Sequence, residues 1–93
     1  MALVKVMLFA TLRRKYKTRE LKVECNGTLE DLIEKTSKIL GHEFISDVYD
    51  LKRGKVREDI ILMINGRNLK DLKSEIVLKD NDVIAVFPPI AGG

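Results

Sequence analysis

The sequence predicts an α+β domain in which a mixed β-sheet carries one main helix across one face. Three observations point to it. A β-rich opening segment is followed by an alternating one, a central stretch repeats its apolar residues at helical spacing, and two short wholly apolar runs lie in the second half. The 93 residues, 45% of them hydrophobic, suffice for one core and leave no room for a separate substrate domain.

The opening segment Leu3 to Phe9 is rich in β-formers, and its one charge, Lys5, marks a solvent side shared with Met7 and Phe9. Val4, Val6 and Leu8 are then expected to face the core. Residues 11–19 are polar and basic and read as a hairpin connection. Glu20 to Cys25 alternates, with Leu21, Val23 and Cys25 on one face, as a half-buried strand antiparallel to the first.

Asn26-Gly27 interrupts the chain, and Thr28 is placed to cap a helix carrying Leu29, Leu32, Ile33, Ile39 and Leu40 and ending at Gly41. Glu30 and Asp31 lie near its positive end, and Glu34 precedes Lys38 by four residues; both features support a helix rather than catalysis. Residues 42–59 read as a loop with one short helical turn.

Ile60 to Ile64 is apolar on both alternating sets, which predicts a central strand covered on both sides, and Asn65-Gly66 predicts a tight reversal. After a polar loop containing Ile76 and Val77, Val83 to Phe87 forms a second central-type strand. The order β-β-α-β-β, with the helix from Thr28 to Leu40 crossing between two strands, is that of a β-grasp.

Residues 1–87 are thus expected to form the domain and residues 88–93 a tail. Pro88 and Pro89 lack N–H donors and favour extended backbone, ending the last strand at Phe87 and sending Ile90, Ala91, Gly92 and Gly93 outward. Six extended residues reach at most roughly 20 Å, enough to carry a carboxylate into another protein's active site. Gly92 and Gly93 have no side chain to obstruct a narrow channel.

The tail Val86-Phe87-Pro88-Pro89-Ile90-Ala91-Gly92-Gly93 resembles that of the ubiquitin-like sulfur carriers, the family of the small subunit of molybdopterin synthase and the thiamine-pathway sulfur carrier. The likeness extends to residues 4–10, to Ile64-Asn65-Gly66 and to residues 78–83. The resemblance implies a β-grasp fold and a carrier cycle. A ubiquitin-activating-type enzyme adenylates Gly93, and a sulfur donor displaces AMP to leave a thiocarboxylate. The chain has no Gly-rich phosphate loop and no acidic metal cluster, so ATP is expected to come with that partner, with no cofactor bound by the chain itself and no metal site.

The same resemblance implies sulfur delivery inside the large catalytic subunit of a molybdopterin synthase. Isopeptide attachment to protein lysines, or sulfur supply for thiamine synthesis or tRNA thiolation, uses the same ending. In a β-grasp sheet, Met7, Phe9, Ala85 and Phe87 are expected to form an apolar docking patch on the face away from the helix, unless residues 41–59 cover it; Pro88, Pro89, Ile90 and Ala91 continue the partner-binding surface into the tail.

Other residues carry less. Arg13, Arg14, Lys15, Lys17, Arg19 and Lys22 offer a basic set for nucleic acid, but the net charge is only +3 and Tyr16 is the sole interleaved aromatic; a solvated loop is expected, with no nucleic-acid or membrane partner. Cys25 continues an apolar strand face and is expected in the core, and His42 at a helix end. One cysteine and no long apolar run suggest a reducing, cytoplasmic setting without a signal peptide or membrane span.

Overall fold

A computed structural model describes residues 1–89. Seven strands and three helices follow in order: β1 (Ala2–Leu8), α1 (Ala10–Tyr16), β2 (Glu20–Cys25), α2 (Leu29–Leu40), α3 (Glu43–Val48), β3 (Tyr49–Asp50), β4 (Lys55–Val56), β5 (Ile61–Ile64), β6 (Arg67–Asn68) and β7 (Val83–Phe87), with a 3-10 turn at Leu69–Asp71. The main sheet runs β2-β1-β7-β5-β6, and β3 and β4 form a separate hairpin. β1 and β7 are parallel, whereas β2 on β1 and β5 on β7 are antiparallel. This mixed sheet with α2 across one face is the β-grasp expected from the sequence.

Alternation sorts the sheet. Val4, Val6, Leu8, Val23, Leu62, Ile64, Ile84 and Val86 are buried on the side where α2 contributes Leu29, Leu32 and Ile33. Cys25 is fully buried among them, as its place on the strand predicts. Ile39 corrects the expected helix stripe: it is 61% exposed, and Thr36 and Ser37 are buried instead. At about 100° per residue, position 36 falls between 29 and 32, whereas position 39 lies at the edge of the stripe, about 20° beyond 32. Both hydroxyls are satisfied within the helix, Thr36 donating to the Leu32 carbonyl at 2.7 Å and Ser37 to that of Glu34 at 2.6 Å.

Asn65 and Gly66 both take positive φ, 51° and 85°, and reverse the chain from β5 into β6 as a hairpin turn of this type requires. The Asn65 side chain then accepts from the Val83 N–H at 2.9 Å and donates to Asp82 at 3.0 Å, fixing the entry to β7.

Two segments differ from expectation. Residues 11–16, expected within a solvated connection, join Ala10 in α1. Leu12 is buried and Tyr16 is half-buried against Phe44, its ring edge-on at 5.7 Å. Residues 42–59 hold a full helix, α3, and the β3–β4 hairpin; Phe44 and Val48 enter the core, with Ile45, Tyr49 and Val56 packed against it. His42 sits at the N-terminal boundary of α3, exposed and making no side-chain capping bond. Among the described residues, no helix is long and apolar enough to cross a membrane.

Candidate functional site

The chain reaches its tail through β7, an inner strand of the sheet, which ends at Phe87 as the following prolines dictate. The structure keeps the first proline in the body: Pro88 is buried and Pro89 exposed, so any departure begins at Pro89. Ile90, Ala91, Gly92 and Gly93, the activated terminus and its approach in the sequence reading, lie outside the described residues.

On the sheet face opposite α2, strand pairing brings together the expected patch. Met7 stands beside Ala85 across the parallel pair, and Ala85 beside Met63 across the antiparallel one; Phe87 is paired with Ile61. Phe9 lies flat on Phe87, with ring centroids 4.3 Å apart and planes 11° from parallel. Such a pair contributes about 0.5–1.5 kcal/mol beyond its burial. Met7, Phe9, Ala85 and Phe87 are all half-buried, and Ile61 is 38% exposed. The expectation that β5 is covered on both faces is therefore corrected: Leu62 and Ile64 are buried, whereas Ile61 and Met63 extend the open apolar face. Residues 41–59 do not cap it, since α3 packs on α2 and adds Phe44 and Val48 to the core.

The basic connection contributes to this face too. The Arg13 guanidinium carbon lies 5.1 Å from the Phe9 ring centroid, and Nε donates to the Leu8 carbonyl at 3.0 Å. Arg13, Phe9 and Phe87 form one stack beside the tail, with the cation over the aromatic face. The place of Arg13 is not legible in the sequence, where residues 11–19 read as a connection; the four-residue spacing of Leu12 and Tyr16 is the helical signal there. Ile61 and Met63 were hidden because a strand apolar on both sides reads the same whether its outer face is covered by its own chain or left open.

At the foot of the tail, Lys15 of α1 bonds Glu43 at 2.8 Å and Asp47 at 2.9 Å, and Tyr16 donates its hydroxyl to Asp47. The carboxylates of Glu43 and Asp47 push the Lys15 ammonium well above its ordinary value. Burial, reinforced by the hydrogen bond to Asp47, pushes the Tyr16 phenol up as well, keeping it a proton donor. Neither group is poised for proton transfer near neutrality. Among the described residues, no group of three His, Cys, Asp or Glu side chains is arranged to hold a metal ion.

Comparison with known proteins gives this geometry a context. The small archaeal modifier protein 1 from Methanosarcina acetivorans superposes with a TM-score of 0.79 at 33% identity, covering 100% of this chain and 98% of its own. A protein from Pyrococcus furiosus described as a candidate molybdopterin converting factor, subunit 1, matches with a TM-score of 0.65 and 32% identity over 97% of this chain and 100% of its own. The molybdopterin synthase sulfur carrier subunit of Aedes aegypti is 47% identical over 38 residues, 41% of this chain, and the match spans 39% of that relative's length. Residues 6–93 match the ThiS family. With a family match running from β1 to the diglycine, and this fold, the chain belongs to the ThiS family of ubiquitin-like sulfur carriers.

Proposed function

We propose that the chain carries sulfur as a thiocarboxylate on Gly93 and delivers it in molybdopterin synthesis. The observation that carries this reading is that β7, the strand leading into the Phe-Pro-Pro-Ile-Ala-Gly-Gly tail, also supplies Ala85 and Phe87 to the open apolar face. A partner that docks on the face receives the tail at the same time. The molybdopterin assignment rests on likeness to the Aedes aegypti and Pyrococcus furiosus proteins.

The chemistry divides between carrier and partner. A Gly93 carboxylate oxygen attacks the α-phosphorus of ATP, pyrophosphate leaves, and an acyl-adenylate forms on the activating enzyme. A hydrosulfide equivalent then attacks the acyl carbon; the carbon–oxygen bond to AMP breaks and AMP leaves with the bonding pair. The carrier supplies reach and docking: an apolar face that loses water on contact, and glycines narrow enough for a confined site. Its catalytic groups belong to the partners, an adenylating enzyme and a large synthase subunit.

A second reading, a protein modifier in which a lysine amine attacks the same adenylate, is favoured by full-length likeness to the Methanosarcina acetivorans modifier protein. ATP–pyrophosphate exchange with the adenylating enzyme of the same organism tests what both readings share. Exchange is expected with the intact chain and lost when Gly93 is deleted; exchange that persists without Gly93 contradicts activation at that residue.

A further inference from the structure

Three parts of the chain meet where the tail begins. A shallow cleft of about 240 Å³ is lined by Pro88 and Pro89 together with Leu12 and Lys15 of α1, Asp47 of α3, and Arg57 and Ile60 ahead of β5. Asp47 joins them. Its carboxylate accepts from Lys15 Nζ at 2.9 and 3.2 Å and from the Tyr16 hydroxyl. One Arg57 nitrogen donates to the Ser46 carbonyl at 3.1 Å and reaches that of Asp47 at 3.5 Å, while the Arg57 backbone N–H donates to Val48 at 2.9 Å.

Two facts make this junction more than local packing. Pro88 and Pro89 have no N–H to donate to a neighbouring strand, so the ladder that directs β7 stops short of them, and the packing that buries Pro88 takes its place. One wall of the cleft, α1, is a seven-residue helix, too short to hold its place without tertiary contacts. Its first residue, Ala10, takes a φ of 52°, a region alanine disfavours, so the connection from β1 does not by itself favour this placement.

We infer that Asp47 is a positioning residue: by tying α1 to α3 it holds the wall against which Pro88 packs, and thereby sets the direction in which the chain leaves the domain at Pro89. Its consequence for catalysis rests on the carrier reading above. Removing the carboxylate deprives Tyr16 of its acceptor and leaves Lys15 tied to α3 through Glu43 alone; α1 then shifts and misdirects the terminus while the apolar face stays intact.

Two measurements test this. In the first, a spin label is placed at Ala91→Cys, Cys25 being buried and protected from labelling, and paramagnetic broadening of backbone amides is mapped. Broadening is expected in one sector of the surface in the parent, and spread over more than one face in Asp47→Ala. Lys15→Ala removes the strut from its exposed end and keeps the test open should Asp47→Ala not fold. Identical maps in parent and variants overturn the inference. The second is ATP–pyrophosphate exchange. For Asp47→Ala, kcat is expected to fall about tenfold with KM within about twofold, as misaiming a reacting group does, and the conservative Asp47→Glu, which keeps a carboxylate for Lys15 and Tyr16, to retain most of it. An unchanged kcat, or a rise in KM alone, overturns the positioning role. If the parent itself supports no exchange, the carrier reading fails, and the broadening maps still decide whether Asp47 directs the tail.

Discussion

Thr28 and Asp31 together close the N-terminus of α2. The Thr28 hydroxyl accepts from the Asp31 N–H at 3.1 Å, and the Asp31 carboxylate accepts from the Asn26 N–H at 2.8 Å and from Lys35 Nζ at 2.9 Å. Thr28→Ala is expected to cost about 1 kcal/mol, the usual loss for a cap, read as a lower urea midpoint at unchanged slope. The hydrogen bond from Lys35 and then that from Asn26 hold the Asp31 carboxyl below its ordinary value of 3.8. A depressed carboxyl binds its proton more tightly unfolded than folded, so its stabilising contribution is present above 3.8 and disappears as pH falls through the lowered value. Urea midpoints across that acid range are expected to fall less steeply for Asp31→Asn than for the parent; equal slopes would remove Asp31 from the account. Threonine, asparagine and aspartate around a glycine made this cap legible in the sequence, because capping is a local interaction.

At the scale of elements, β7 binds fold to function: Ile84 and Val86 anchor it in the core while Ala85 and Phe87 face outward. Phe87→Asp is expected to leave the sheet intact, cost about 0.5–1.5 kcal/mol through the lost Phe9 stack, and raise KM for the activating enzyme about tenfold or more, since a charge would be desolvated on docking. Met63→Asp, on β5, is expected to raise KM in the same way, although nothing local in its own sequence marks it as part of the face. Unchanged KM in both, with cooperative unfolding retained, would dissociate the face from activation. Residues 4–8 and 20–25 announced their faces by alternation alone. The outward side of β5 and the stack of Arg13 on Phe9 depend on which strand lies beside which, and on a helix only two turns long in a run of basic residues, so they became visible only with the tertiary structure.

At the scale of the whole molecule, the β-grasp was legible because each main element carried its own period and every boundary after β2 its own glycine, asparagine or proline. The tail rests on a different kind of signal: two prolines followed by Ile-Ala-Gly-Gly suggest covalent chemistry rather than packing. Burial of Pro88 was not legible, because proline sequence announces extension without saying which walls it runs between. The central claim is that Gly93 leaves its activating enzyme bearing sulfur. Intact-protein and C-terminal peptide mass spectrometry after incubation with that enzyme, ATP and a sulfide source tests it most directly. The account predicts replacement of one oxygen by one sulfur, localised to the Gly93 carboxylate and absent from a chain lacking Gly93. An adenylate that yields only lysine-linked conjugates, with no sulfur at Gly93, would contradict it.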